Sequence, residues 1–229
     1  MRSRLTNKNI PQVLELLSNL SSLLKKLDED RVWLKPALIS YTFFPLQTIL
    51  NRNDSPSIPD QVLEGILNVL ELLFRWWWWT CEEGIWEQVL MLAGEVAGLG
   101  TNGKGRERDD ETKDAAVRLI LCLLRDRSTD CCDEGSQDGN RSSYDASMRL
   151  SDLQTHAQSE KLVIVLGEIL IALLETGTFQ HLPLQLHSLN ATEIIISLYL
   201  PDPVVPTILP GVVSTSTRIA IGKIGRAHV

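Results

Sequence analysis

Cysteine is scarce in this 229-residue chain, a long uncharged apolar run is missing, and basic residues are in the minority. Each shortage removes a class of protein. The four cysteines, Cys81, Cys122, Cys131 and Cys132, form no spaced framework and two are adjacent, so a disulfide-stapled secreted domain is not expected. The longest apolar run, "LVIVLGEILIALL", is too short to span a bilayer and carries Glu168. The opening "MRSRLTNKNIPQ" has no apolar signal core. With 29 acidic and 22 basic residues the net charge is -7, which argues against a nucleic-acid backbone as the main partner. These shortages together point to a reducing compartment, the cytoplasm or the nucleus.

What is present is apolar sequence at helical spacing. A hydrophobic content of 44% supplies a substantial core. Val13, Leu17, Leu20, Leu24 and Leu27 recur at spacings of four and three, which places them on one helical face. The stretch "VWLKPALISYTFFPLQTIL" contains Pro36 and Pro45, so two or three short helical pieces are expected there. In "SIPDQVLEGILNVLELLF" one row of apolar residues runs through Val62, Ile66, Val69 and Leu73. A second row runs beside it through Leu63, Leu67, Leu70 and Phe74, and so broad a stripe predicts burial from two sides. Ser57 or Asp60 is the expected cap. Further helices are predicted over 86–99, 111–125, 159–175, roughly 183–200 and 204–223. Only "KLVIVL" reads equally as a strand.

Two polar segments, 100–110 and 127–158, interrupt this pattern. The first is glycine-rich and charged, the second holds six acids against three bases, and neither buries enough surface to fold alone. Both are expected to be flexible inserts in one helical-repeat region, 1–223. The reading that results is all-α: a HEAT-type α-solenoid fragment of antiparallel helix pairs. A compact helical bundle is the alternative.

No catalytic or metal constellation stands out. His156, His181, His187 and His228 show no metal-ligand spacing, and Cys131 and Cys132 lack a second Cys or His pair. In "GTNGKG" Lys104 is followed by Gly105 rather than Ser or Thr and no strand precedes it, which excludes a phosphate loop. Asp109, Asp110 and Glu111 are better explained as acids at a helix N-terminus than as a carboxylate pair. The sequons at Asn19, Asn53, Asn140 and Asn190 carry no meaning in a chain that is not secreted. No enzyme and no cofactor are expected.

One stretch resists the bland account. Trp76, Trp77, Trp78 and Trp79 are consecutive, and successive helical residues point about 100° apart, so four in a row cannot share one buried face. Core burial of one or two at a helix end is the simpler reading, with the inter-helix turn at or just after Trp79. The sharper reading makes the outward ones protein-binding anchors.

"SYTFFPLQTIL" followed by "PDQVLEGILNVLELL" resembles the N-terminal part of the Tel-two-interacting protein one family, the scaffold subunit of the Triple-T complex. The resemblance rests on Phe43 to Leu46, Pro59 to Glu64, a tryptophan among Trp76 to Trp79, and "LPGVVS" at Leu209 to Ser214. Four tryptophans at that turn depart from the family pattern, and its full-length members are far longer solenoids. The resemblance implies a non-catalytic scaffold that helps assemble and stabilise phosphatidylinositol-3-kinase-related kinases. Its implied partners are the other Triple-T subunits, those kinases and chaperone machinery, with neither nucleic acid nor membrane among them. A HEAT-type adaptor in transport or trafficking is the alternative. The last residues, "IGRAHV", resemble what a sequencing adapter encodes, so 224–229 are expected to be a non-native tail.

Overall fold

The computed structural model describes residues 9–30, 36–52, 58–77, 83–98, 108–124, 160–176, 181–200, 205–206, 209–214 and 217. Every regular element among the described residues is helical: α1 (Ile10–Glu29), α2 (Pro36–Arg52), α3 (Asp60–Trp77), α4 (Glu83–Ala97), α5 (Asp110–Leu124), α6 (Glu160–Thr176) and α7 (Leu182–Ile194). A π turn, Ile195–Tyr199, follows α7 directly. "KLVIVL" lies within α6, because its apolar residues continue at helical spacing through Ile169, Leu170 and Leu173, all buried. The helices fall into two compact units, residues 1–96 with 100–123 and residues 97–99 with 124–229. The sequence suggested a single helical-repeat region.

In the first unit α3 is the central helix. Val62, Leu63, Ile66, Leu67, Val69, Leu70, Leu73 and Phe74 are all fully buried, so both predicted rows face protein. Each such side chain stabilises the fold by about 1.5–3 kcal/mol relative to exposure. Helix α1 covers α3 on one side. Leu17 and Leu24 are its buried residues, and the missing side chain of Gly65 admits Leu17, whose Cδ1 lies 3.1 Å from where a Cβ would stand.

Helix α5 meets α3 through polar contacts. The Thr112 hydroxyl donates to the Asp60 carbonyl at 3.3 Å, Arg118 reaches Asn68 and Glu71 at 2.7 and 2.8 Å, and Cys122 Sγ donates to the Glu71 carbonyl at 3.4 Å. These contacts advance along both helices together, so α3 and α5 run parallel. Trp86, near the start of α4, is fully buried and donates to the carbonyl of Leu123 near the end of α5 at 3.2 Å, so the start of α4 meets the end of α5. Helices one and three of this order start at Ile10 and Asp60, and the fifth at Asp110. A helix pair therefore recurs every fifty residues, longer than the ~34 of a tetratricopeptide repeat.

Two sequence expectations need correction. Pro36 and Pro45 do not divide α2, which is unbroken from Pro36 to Arg52. Pro36 opens the helix, where its missing N–H has no intrahelical partner to lose. Pro45 removes one bond in the interior, but it is exposed, and water can take the freed Tyr41 carbonyl. The first polar insert also ends earlier than 110. Arg108 is buried, and its Nη1 donates to the Ile58 carbonyl at 2.8 Å and to Asp60 Oδ1 at 2.5 Å, joining the start of α5 to the start of α3. A charged run reads as solvated until one of its members meets a buried carboxylate and carbonyl. The remaining insert residues, 100–107 and 127–158, and the tail 224–229 lie outside the described residues.

In the second unit α6 packs on α7. The Nδ1 of His181 accepts from Leu184 N–H at 3.3 Å and so caps α7, whose second residue is Pro183. Gly98, at φ 133, follows α4 in a conformation that residues with a Cβ rarely adopt. Near the end of the unit Val212 is buried within a short helical stretch, 209–214.

Candidate partner-binding surface

Helix α3 continues through Trp77, so the first two of the consecutive tryptophans belong to its last turn. The side chains of Trp76 and Trp77, and all of Trp78 and Trp79, lie outside the described residues. Helix α4 begins at Glu83. Helix α2 carries a surface that spacing alone did not reveal.

The sequence of α2 holds no charged residue from Pro36 to Asn51. One side of it is core: Ile39, Phe43 and Leu46 are buried, and the Phe43 ring meets Phe74 of α3 edge to face, with centroids 6.3 Å apart. The opposite side is apolar as well. Leu38 is 54% exposed, Tyr41 80% and Phe44 54%, at intervals of three residues that keep them near one another on the helix surface. Within "FFPL", then, Phe43 and Leu46 point inward while Phe44 and Pro45 face solvent. Thr42 and Thr48 return their hydroxyls to the carbonyls of Leu38 and Phe44, at 2.9 and 2.8 Å, which leaves the outward side with few free hydrogen-bonding groups. Gln47 donates to Gln88 of α4 at 2.7 Å and links the two helices at the surface. Treating both prolines as helix breakers hid this stripe, because a three-residue spacing has meaning only in an unbroken helix.

The charged side chains near α3 and α5 are organised for packing. Glu71 is bridged by Arg75 at 2.9 Å and by Arg118 at 2.8 Å, and Arg118 also meets Asp114 at 3.2 Å. Asp109 Oδ1 accepts from Thr112 N–H at 2.8 Å, so this acid caps α5. Asp110 and Glu111 lie in the first turn of the same helix, where negative charge is favourable. Glu95 is held above the usual carboxylate range by loss of solvent around its carboxyl. Among the described residues no group of His, Cys, Asp or Glu could hold a metal ion, and no helix is long and apolar enough to cross a membrane. Cys131, Cys132, His156 and His228 lie outside the described residues, as do Asn53 and Asn140.

Helices as the sole regular elements among the described residues, helix starts recurring at fifty-residue intervals, and an apolar face turned outward are the features of an all-α helical-repeat domain of the kind that binds other proteins. The chain belongs to the family described as the TTI1 N-terminal TPR domain, whose model matches residues 3–229. The family is thus the one that the "FFPL" and "PDQVLE" motifs suggested, with its repeats classed as tetratricopeptide rather than HEAT. Both are stacked helix pairs. Neither a curated protein nor a solved structure gives a significant match.

Proposed function

We propose that this chain is a non-catalytic scaffold that helps assemble and stabilise phosphatidylinositol-3-kinase-related kinases together with chaperone partners. The observation that carries the binding part is the outward row Leu38, Tyr41 and Phe44, which exposes three large apolar side chains on a helix whose other side is core. Burial of such residues at an interface is favourable, and tyrosine is enriched among interface hot spots. Membership of the TTI1 N-terminal family supports the choice of partners: the other Triple-T subunits, the kinases themselves and chaperone machinery. The place of action on this reading is the cytoplasm or nucleus. Trp76, Trp77, Trp78 and Trp79 are proposed as a second set of anchors.

Affinity capture with the full chain as bait, beside a Tyr41→Ala, Phe44→Ala double variant, tests this reading. Kinase-assembly subunits retained by the parent and lost by the variant are the expected result. Retention of transport receptors or cargo in their place would make the chain a trafficking adaptor instead.

A further inference from the structure

Helix α7 does not end as an α-helix. From Ile195 to Tyr199 the coil widens into a π turn, closed by Leu200 N–H donating to the Ile195 carbonyl at 3.0 Å. Such a turn is in effect an α-helix holding one additional residue, and it recurs at functional sites. Its consequence is rotational: from the close of the turn onward, residues are rotated by about 100° from where the α register would put them. The residue so placed is Tyr199, fully buried, whose hydroxyl donates to the Leu124 carbonyl at 3.0 Å. Leu124 is the last residue of α5 and lies in the same compact unit as Tyr199.

Widening the turn displaces backbone donors from their usual carbonyls. The Ser197 hydroxyl donates to the Glu193 carbonyl at 2.7 Å and to the Ile194 carbonyl at 3.5 Å, so its side chain ties the turn to the last carbonyls of α7. Ser197 is itself exposed, so its part in the turn is this bond and not packing. Downstream, Leu200 leaves the helix in an extended conformation, φ -84 and ψ 136, directly before Pro201. Proline disfavours a helical residue before it, so the additional residue cannot be released by lengthening the helix. It is either stored in the π turn or relieved by moving Tyr199.

We infer that the π turn is a register lock, with Ser197 as its positioning residue: in the π register Tyr199 is fastened to Leu124, and in the α register it is released. Thr192 Oγ1, in the turn before, is buried without a hydrogen-bond partner among the described residues, and a buried hydroxyl left unpaired destabilises the arrangement that leaves it so. Release of Tyr199 opens that interior to water and frees the carbonyl at the end of α5.

Hydrogen exchange on the full chain, resolved to the segment 195–200, tests the lock. Ser197→Ala is expected to speed exchange there by ~10-fold, the equivalent of one lost hydrogen bond, while α6 stays protected. Ser197→Thr, which keeps the hydroxyl, is expected to restore the slow rate, and Tyr199→Phe to speed the same amides without the need for any change at Ser197. Unchanged exchange in Ser197→Ala overturns the inference. So does uniform acceleration across α6 and α7, which makes Ser197 a general stabiliser, or a failure of Ser197→Thr to restore protection.

Discussion

Phe43 of α2 and Phe74 of α3 meet edge to face, with ring centroids 6.3 Å apart and planes at 82°, while the neighbouring Phe44 is 54% exposed. Two adjacent phenylalanines thus serve different ends, one fastening α2 to the central helix and the other turned to solvent. Phe43→Ala is expected to cost about 3–5 kcal/mol of stability through the cavity it leaves. Phe44→Ala is expected to change stability by less than about 0.5 kcal/mol. Chemical denaturation of both variants measures the split, and equal losses would remove the case for an outward binding face on α2.

A second expectation concerns the joint between helix starts. Arg108→Ala strands the Asp60 carboxylate and the Ile58 carbonyl in a part-buried place, and breaking a buried pair on one side costs about 3–5 kcal/mol. Adding Asp60→Asn to that variant removes the stranded charge. The double variant is therefore expected to be more stable than the sum of the single losses, and a thermal-melt cycle checks it. Simple additivity would mean that the two side chains act independently despite their contact.

How much of this was legible in the sequence differs from residue to residue. The double row on α3 was fully legible, since eight buried apolar positions at spacings of three and four leave no other arrangement. The unbroken α2 was not, because the effect of Pro45 depends on whether the carbonyl it frees faces water, which spacing does not encode. Arg108 was hidden for a related reason: its partners at Ile58 and Asp60 lie 50 and 48 residues away, and a charged glycine-rich context gives no sign of them. The outward row on α2 became readable only once that helix was known to be continuous. The family motifs were visible because short apolar signatures survive in sequence, whereas the exposed or buried state of each member does not.

The pH dependence of stability carries a contribution from Glu95 with a definite sign. Its folded-state pKa is raised above the ordinary 4.5 because neighbouring protein partly desolvates the carboxylate of a side chain that is otherwise exposed. The folded chain therefore binds this proton more tightly than the unfolded one, so the contribution makes stability fall as pH rises from about the ordinary value through the raised one. Glu95→Gln is expected to flatten that fall, by an amount that solvent screening of this exposed side chain keeps small. Denaturant titrations of both proteins across that range measure the difference, and a parent that gains on the variant as pH rises would reverse the assignment.

The consecutive tryptophans give the sharpest test of the proposed anchors. Because α3 extends through Trp77, Trp76 and Trp77 are helical residues about 100° apart, one in line with each of the two buried rows of that helix. Trp77 continues the row of buried Leu70 and Phe74, and Trp76 continues the row of buried Val69 and Leu73, so spacing alone does not rank the two. Replaced singly with alanine, the four are expected to separate into two groups. A core member loses about 3–5 kcal/mol of stability. An anchor leaves stability nearly unchanged and weakens capture of the partner by about 2 kcal/mol or more. Parallel denaturation and binding measurements on the four variants decide the matter: if all four lose stability and binding in the same proportion, the tryptophans are core residues and the outward row on α2 is left as the binding face.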